Sequence, residues 1–393
     1  MQMKISVNKE QIDKGIGRAV SIIPSRTGMA ALRSLWLKAE DGKIHVMSSD
    51  GDIEFHGAYQ AEVGTPGLVG IQGHVALDLL RKLPSGVMTF EQPEDGKDLT
   101  ITTGRKSYKL PVSNAAWFQG VKEMPTEGIA LWSGDVFLNN INVTSFCIEK
   151  DADNPALSGL QILPLPGGKV RFTGLNSFIF AISTVVNEDV ANILPSKRGV
   201  LIQKGHLGAI KKWLNDYAGD IELALSSQRL FLRKIDEEET VSAPIFGDSG
   251  FPDVTNALEM SKQTPDIFLS VDRIEFMEAL ERLKIFSDEP SPQAILNLGH
   301  KECEIASGES NNGAGKEIIE CDYNGNIERI GFSAKNILEI LGHFKSDTVN
   351  FFITGQISPC AIEGNDDPGY IVIVSPLNLS SESYYTEEPP AQE

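Results

Sequence analysis

The sequence is poor in residues that build disulfides, metal sites and membrane spans. Its 393 residues include four cysteines, which stand far apart with no CxxC or CxxxC pair, so neither a zinc site nor a disulfide framework is indicated. No run of about 18 uninterrupted apolar residues occurs, and the opening MQMKISVNKEQIDKGIG is charged where a signal peptide needs an apolar run. We therefore expect a cytoplasmic protein that does not enter a membrane.

Catalytic motifs are also missing. A phosphate-binding loop needs GxxxxGK followed by Ser or Thr, but Gly315-Lys316 is followed here by Glu317. No GxSxG, HExxH or DxDxDG sequence occurs, and the six histidines show no metal-ligand spacing. We expect no enzymatic activity and no cofactor. Because paired catalytic carboxylates need no local motif, a monomeric α+β enzyme stays open as an alternative.

Charge is strongly one-sided. The formal net charge of −19 favours solubility and discourages indiscriminate nucleic-acid binding. One window runs against this excess, because residues 190–215 contain five Lys or Arg and no acid. Taken alone, such a window is typical of a solvated basic helix face. The five residues are Lys197, Arg198, Lys204, Lys211 and Lys212.

The most informative pattern is a unit that occurs three times. Apolar residues recur at helical spacing in six segments, which form two series whose members stand roughly 130 residues apart. Short alternating strands lie between them, separated by turn signals such as Asp41-Gly42. The first series predicts helices at Lys9–Ile22, Gly134–Ile148 and Asp272–Phe286, and the second at His74–Leu83, His206–Tyr217 and Ala334–Phe344.

Each unit predicts helices on one face of a mainly antiparallel sheet, which is the α+β class. We expect three domains of one architecture, at 1–126, 127–260 and 261–379. The polar, acidic residues 380–393 are predicted to be a disordered tail. The expected N-caps of the first-series helices are Asn8, Ser133 and, one residue further off, Ser270.

The repeat changes the interpretation of the basic window. If the helices of all three units face one way, their cations would form one basic surface that attracts phosphate without reading bases. The cations outside the window that would join it are Lys9, Lys14, Arg18, Arg81, Lys82, Arg273, Arg282, Lys284, Lys335 and Lys345.

A series of motifs runs along residues 3–379 in a specific order. They include MKISVNKEQI, AVSIIPSRT, GHVALDLLRKLPSG and TTGRKSYKLPV, then KVRFTG, ILPSKRGVLI and SGFPDVTNAL, and finally ALERLKIFSDE, NGNIERIGFSAKNILEIL and YIVIVSPLNL. No single motif is diagnostic. Their order and spacing resemble those of one family, the bacterial sliding clamp, which is the beta subunit of DNA polymerase III.

The resemblance implies a function that follows from topology. In this family three DNA-clamp domains form a crescent, and two crescents close head to tail into a homodimeric ring around duplex DNA, with the helices lining the hole. Such a ring slides through sequence-independent phosphate contacts and raises the effective concentration of a tethered polymerase at the primer end. The implied protein partners are the catalytic subunit of DNA polymerase III, the clamp loader, and other polymerases and repair proteins.

Position by position, the resemblance also implies roles for individual residues. It places Arg26, Lys197 and Arg198 against DNA. It places Tyr108 and Leu110 opposite Ile285 and Phe286 across the contact between subunits. Packing inside their own domains is the alternative for these last four, because their apolar, partly alternating placement does not distinguish the two.

A groove for short, partly apolar peptide motifs is implied as well, and this sequence departs from the family there. The segment 174–178 reads Gly-Leu-Asn-Ser-Phe where the family has Asp-Gly-His-Arg-Leu, and Asn256 and Asn378 stand where arginines are usual. We expect a less basic, more apolar groove with an altered peptide preference. The implied groove residues are Leu157, Thr173, Leu175, Asn176, Ser177, Phe178, Pro252, Asn256, Ala257, Ser358, Val374, Pro376, Leu377 and Asn378.

The altered groove leaves two alternatives open. Neighbouring backbone groups could still supply the lost hydrogen bonds, so that peptide preference is unchanged. A clamp-derived peptide-binding scaffold without a replicative role is also conceivable, given the groove and the net charge of −19.

Overall fold

The structure is a computed structural model that describes residues 3–93, 96–149, 154–195, 199–247, 250–264, 267–287, 292–308 and 310–379. The predicted tail 380–393, and Lys197 and Arg198, lie outside the described residues. The chain divides into two compact units. Unit 1 comprises residues 1–141, 161–170 and 186–249, and unit 2 comprises 142–160, 171–185 and 250–393. The boundaries at 126 and 260 stay a prediction.

All six predicted helices form, with ends that shift by a few residues. The apolar spacing explains them, since α1 buries Ile12, Ile16 and Ala19 on one side. Two short helices, α4 and α6, had not been predicted. The helices are α1 (Lys9–Ile22), α2 (Gly73–Lys82), α3 (Gly134–Ser145), α4 (Glu188–Ile193), α5 (Lys204–Leu214), α6 (Thr255–Ser261), α7 (Arg273–Leu283) and α8 (Ala334–Leu341).

The expected helix caps are only partly right. Asn8 occupies the N-cap position of α1, but its side chain makes no capping hydrogen bond. Ser270 was the wrong choice for α7, because Asp272 directly precedes the helix and its Oδ1 accepts a hydrogen bond from the Glu275 amide at 2.8 Å. The amide of Val136 in α3 donates to Ser133 Oγ over a long 3.5 Å.

The strands carry most of the remaining chain. They are β1 (Met3–Asn8), β2 (Ser34–Glu40), β3 (Lys43–Ser49), β4 (Glu54–Gln60), β5 (Glu62–Thr65), β6 (Gly67–Gln72), β7 (Val87–Gln92), β8 (Asp98–Thr103), β9 (Lys106–Ser113), β10 (Ile129–Ser133), β11 (Gly159–Leu165), β12 (Lys169–Leu175), β13 (Ile179–Val186), β14 (Val200–Gln203), β15 (Asp220–Leu225), β16 (Arg229–Lys234), β17 (Glu239–Pro244), β18 (Leu269–Asp272), β19 (Gln293–Leu298), β20 (Glu302–Ser307), β21 (Lys316–Tyr323), β22 (Arg329–Ser333), β23 (Thr348–Phe352), β24 (Cys360–Gly364) and β25 (Tyr370–Val374).

Unit 1 is built on a thirteen-stranded sheet in the order β10-β15-β16-β17-β4-β3-β2-β6-β9-β8-β7-β1-β5. The β2-β3 hairpin turns at Asp41 and Gly42, whose φ angles of 47° and 73° are the left-handed values that a tight hairpin turn requires. Antiparallel pairing of β17 with β4 makes one continuous sheet of strands from the first and second predicted domains.

A buried acid stabilises this β17-β4 junction. Glu239 is 1% exposed and accepts hydrogen bonds from Arg18 at 2.8 Å, Tyr59 at 2.8 Å and Trp213 at 3.1 Å. The ammonium of Lys234, which is fully buried, lies 3.7 Å from the same carboxylate. Because a buried charge is costly unless it is paired and hydrogen-bonded, this network fixes how α1 and α5 meet the sheet.

Unit 2 contains the β13-β25-β24-β23-β18-β21-β20-β19-β22 part of a second, twelve-stranded sheet. Side chains alternate between its two faces. Ile179, Ala181 and Val372 pack on one face into a large core with residues of α7 and α8. On the other face, Ile182 and Ile373 belong to a smaller cluster beneath α6. The α+β class, with helices packed on antiparallel sheets, is confirmed.

Candidate functional site

The smaller cluster of unit 2 is the strongest candidate for a binding site, and we call it the α6 cluster. Its partly buried members give it an accessible apolar surface. Three predicted groove residues, Leu157, Leu175 and Ala257, belong to it. Its buried members are Leu175, Ile182, Val254, Phe352, Ala361 and Ile373, and its partly buried members are Leu157, Phe180, Phe251, Ala257, Leu258, Phe268 and Ile371.

A tight turn places three more predicted residues at the end of β12. Asn176 Oδ1 accepts hydrogen bonds from the amides of Phe178 and Ile179, both at 2.8 Å, which is the turn chemistry that a short amide side chain supports. Ser177 is exposed and Phe178 is 58% exposed. The Phe178 carbonyl accepts from the Ser375 amide at 2.9 Å, so this turn lies beside the segment that follows β25.

The segment after β25 is fixed against β22 and not within the α6 cluster. The Leu377 amide donates to the Gly331 carbonyl at 2.8 Å. Leu379 packs over Gly331, where an added Cβ would come within 2.6 Å of it. Pro376 and Leu377 are half-buried and Asn378 is exposed. Ser358 is half-buried, and Pro252 and Asn256 are exposed on either side of Val254.

Val374 lies apart from the other predicted groove residues. It is 1% exposed and packs in the large core on the opposite sheet face, whereas its neighbour Ile373 belongs to the α6 cluster. The period-two pattern of YIVIV contains the signal that separates them, because adjacent strand residues point to opposite faces.

Two polar atoms on the cluster face of β12 have no partner among the described residues. Thr173 is completely buried and its Oγ1 makes no hydrogen bond. Arg171 is 9% exposed, and its Nε is likewise unpaired. Burial lowers the pKa of Arg171, an effect that the charge of Asp253 partly offsets. Arg171 was not predicted, although the alternation of KVRFTGL places it on the face of Thr173 and Leu175.

The predicted DNA contacts fall in different settings. Arg26 is exposed in the loop between α1 and a 3-10 helix at Ala30–Arg33. Lys14, Arg81 and Lys212 are exposed and line one cavity of about 500 Å³ formed by α1, α2 and α5, all within unit 1. We call these three residues the basic patch. Within the described part of the chain none of the three forms an ion pair.

Several other helix cations that we expected on the basic surface are paired with acids. Arg18 donates to Glu239 and Glu237. Arg282 binds Glu317 through two hydrogen bonds of 2.8 and 2.7 Å, and Lys284 lies 3.0 Å from Glu281. Because these charges are already balanced, they offer less to phosphate than the sequence suggested.

The residues predicted to join subunits lie at strand edges and surfaces. Tyr108 is half-buried and Leu110 is 9% exposed on β9. Among the described strands, β9 pairs with β8 along most of its length, but with β6 only at Val112 and Ser113. Residues 106–111 therefore present a free strand edge.

The corresponding surface of unit 2 has its own free edge. Ile285 is 72% exposed, and Phe286 is half-buried over Gly315, where an added Cβ would meet its ring at 2.7 Å. In the described strands β21 pairs with β20 along 316–320, whereas β18 pairs with it only at 321–323. Ile318 on this edge is 61% exposed.

The described residues contain neither a candidate membrane-spanning helix nor a metal-binding cluster. None of their helices is both long and apolar enough to span a membrane. Among them, no three or more His, Cys, Asp or Glu side chains are grouped so as to hold a metal ion.

Comparisons with known proteins extend over nearly the whole chain. Family models described as the N-terminal and C-terminal domains of the DNA polymerase III beta subunit match residues 3–121 and 263–377. The beta sliding clamp of Caulobacter vibrioides is 22% identical over 381 residues, covering 96% of this chain and 100% of the relative. That of Rickettsia bellii is 24% identical over 393 residues, with the same coverage of each.

Solved structures give the same fold. The beta sliding clamp of C. crescentus superposes with a TM-score of 0.87 at 22% identity, covering 96% of this chain and 99% of that one. A sliding clamp from Bartonella birtlesii, solved bound to griselimycin, superposes with a TM-score of 0.86 at 20% identity, covering 96% and 100%.

Proposed function

Because this chain belongs to the DNA polymerase III beta-subunit family, we propose that it is a DNA sliding clamp. The observation that carries the proposal is the match of both terminal domains to this family. Two chains form a head-to-tail ring around duplex DNA and tether the replicative polymerase, each chain contributing three clamp domains. The ring acts without catalysis or cofactor, in the cytoplasm and on the nucleoid.

The DNA-facing surface combines the basic patch with Arg26, Lys197 and Arg198. The three cations of the patch are exposed and free of ion pairs within the described residues, so they are available to phosphate. Their contacts would be weak and independent of sequence, which suits sliding. Other helix cations are neutralised by ion pairs with acidic side chains and attract phosphate less. The net charge of −19 repels DNA from the rest of the protein.

The subunit contact joins the β9 edge of one chain to the β21 edge of the other. Both edges have unpaired backbone groups, which favour addition of a strand from another chain. The β9 edge carries Lys106 and Lys109, and the β21 edge carries the exposed Glu320, whereas Glu317 and Lys316 on that edge are already paired with Arg282 and Glu304. The exposed Ile285 would be covered by this contact, opposite Tyr108 and Leu110. A two-fold ring needs two such contacts.

The α6 cluster is the groove that docks the polymerase, the clamp loader and repair proteins through short peptide motifs. Leu157, Leu175 and Ala257 give it an apolar floor, and the exposed Phe178 and Asn256 stand at its margins. Apolar anchors with a polar rim are typical of peptide sites. Ile373 adds to this apolar floor, and a role for Val374 stays a prediction.

Retention on DNA tests the clamp function. The protein is loaded onto nicked circular DNA with the loader of the same organism, and the complex is isolated by gel filtration. We expect it to stay on the circle and to leave once a restriction enzyme linearises the DNA, because a ring slides off an end. Release at equal rates from circular and linear DNA would contradict encirclement. Peptide binding without any loading would favour the peptide-binding scaffold instead.

A further inference from the structure

Arg171 is a buried cation that the fold does not use. It lies on β12, two and four residues before Thr173 and Leu175, so all three side chains share the face of the α6 cluster, with successive members about 6.6 Å apart. The opposite face, made by Val170, Phe172 and Gly174, is filled by the core and by α3. Arg171 therefore continues the groove-facing row of β12 beyond Leu175 and Thr173.

Arg171 is 9% exposed as a whole residue, and its Nε is buried with no hydrogen-bond partner among the described residues. Asp253 acts on it only through its charge, while the Asp253 Oδ1 accepts from the Thr255 amide at 2.9 Å. A buried polar group of a charged side chain is costly without a partner, and native proteins seldom contain one without a structural or functional reason. The unpaired Oγ1 of Thr173 is next to it on the same face.

We infer that Arg171 is a specificity-determining residue of the groove and that its guanidinium binds the side-chain carboxylate of an Asp or Glu in the docked peptide. The inference rests on the proposed peptide-docking function. An Arg guanidinium can bind a carboxylate with two hydrogen bonds, and shielding from water strengthens the interaction. The neighbouring apolar cluster holds the flanking aliphatic or aromatic side chains of the same peptide.

The groove has few other charged groups to recognise a peptide. The family pattern has His or Arg at four groove positions where this chain has uncharged residues, namely Asn176, Ser177, Asn256 and Asn378. Asn176 uses its side-chain oxygen inside its own turn. Arg171 thus supplies a cation to the groove from a strand position that differs from those of the imidazole and guanidinium groups in the family pattern. We therefore expect the preferred peptide to have its acidic residue at a different spacing from its apolar anchors than a family-consensus peptide has.

Matched peptides provide the test. The probes are short acetylated and amidated peptides of leucine, phenylalanine and glutamine, and the same peptides with one glutamine replaced by glutamate at each position in turn. Amidation leaves the glutamate side chain as the sole carboxylate. Fluorescence anisotropy with the full-length protein should show one glutamate position that binds about tenfold more tightly than its glutamine counterpart, the scale of a charge-assisted hydrogen bond.

Two variants assign this preference to Arg171. In Arg171→Gln the glutamate and glutamine peptides should bind with equal Kd, while the Kd of the glutamine peptide is unchanged. The control Lys169→Gln removes an exposed cation from the same strand and should keep the preference. The Arg171→Gln protein should unfold at the same or a higher temperature, because it loses an unpaired buried charge. A purely structural role would lower that temperature.

The possible results distinguish a failure of the Arg171 role from a failure of the proposed peptide-docking function. Equal binding of all peptides to the wild-type protein, or a glutamate preference that survives Arg171→Gln, would overturn the role of Arg171 and leave the groove in place. Failure of every peptide to bind the wild-type protein would overturn the peptide groove itself, and the role of Arg171 with it.

Discussion

Gly174 shows how one missing side chain sets the packing of α3 against β12. A Cβ on this residue would stand 1.8 Å from the carbonyl oxygen of Thr144 near the end of α3, and 3.0 Å from Cγ1 of Ile148. The first of these is a backbone atom and cannot rotate away. The family pattern has Asp at this position, so the glycine permits a close approach of α3 to β12 that a side chain excludes.

Replacing Gly174 should therefore destabilise the protein. We expect Gly174→Ala to lower the free energy of unfolding by about 1–3 kcal/mol, as overpacking of a filled interior does, measured by urea denaturation. The control is Gly308→Ala, since an added Cβ there meets no atom within 4 Å. It should change stability by less than about 0.5 kcal/mol. Equal stability of the two variants would show that α3 can yield without strain.

Elements of the first and second predicted domains are joined by the β17-β4 pair, and Glu239 is the centre of that junction. Arg18 comes from α1, Tyr59 from β4 and Trp213 from α5, and all three donate to its carboxylate. Nothing local in the sequence predicts this network, because its members stand far apart along the chain. It couples helix packing to a sheet that crosses a predicted domain boundary.

Adjacent glutamates allow a sharp test of this network. Glu239→Ala removes the buried carboxylate that accepts from Tyr59 and Trp213, but Glu237 still pairs with Arg18 and Lys234. We therefore expect the free energy of unfolding to fall by about 2–3 kcal/mol, the loss expected when buried donors are left without their acceptor. Glu238 is the control, because it is 55% exposed and forms a surface ion pair with Lys43. Glu238→Ala should cost less than about 1 kcal/mol. Similar losses in urea unfolding would mean that the buried network contributes no more than a surface pair.

The helices were predictable because their apolar residues recur every 3.6 positions within one short segment. The helix predicted at Lys9–Ile22 begins and ends at those residues in the structure. The turn at Asp41-Gly42 was predictable because its signal is equally local. The short helix α6 was missed because seven residues carry too little periodicity. Its residues Ala257 and Leu258 pack in the α6 cluster, so the burial of Arg171 on that face of β12 could not be foreseen from KVRFTGL alone.

For the whole molecule, the proposed DNA-facing surface can be tested through its charge. Changing Lys14, Arg81 and Lys212 together to Glu should reduce loading onto nicked circular DNA by about tenfold or more, because removing a cation that neutralises a phosphate weakens binding and reduces its salt dependence. Lys197→Glu with Arg198→Glu should act in the same direction. Both sets should leave dimerisation intact in light scattering.

Net charge alone would predict a different result. A control with Lys4, Lys38 and Lys97 changed to Glu alters the charge of unit 1 equally, but these cations lie on or beside sheet strands. If loading falls as much in this control as in the basic-patch variant, general repulsion and not the patch is responsible. Unchanged loading after Lys197→Glu and Arg198→Glu would remove that loop from the DNA surface.

The proposed subunit contact includes the surface around Ile285. This side chain is 72% exposed, so replacing it does not disturb the core, and only a partner chain would bury it. A Lys at this position would remove the apolar side chain and bring a charge into the joint. We expect Ile285→Lys to weaken the dimer at least about tenfold, since full burial of an isoleucine contributes on the order of 1.5–3 kcal/mol.

Size exclusion with light scattering over a range of protein concentrations measures this change. Val186→Lys is the matched control, because Val186 is 74% exposed and lies outside the proposed contact, so it should leave the dimer unchanged. Coupling across the joint follows from a double-mutant cycle of Tyr108→Ala with Ile285→Ala, whose effects should not add if the two residues touch. A dimer unaffected by Ile285→Lys would refute this pairing of surfaces. A wild-type chain that stays monomeric at every concentration would refute the ring, because the proposed ring needs two chains.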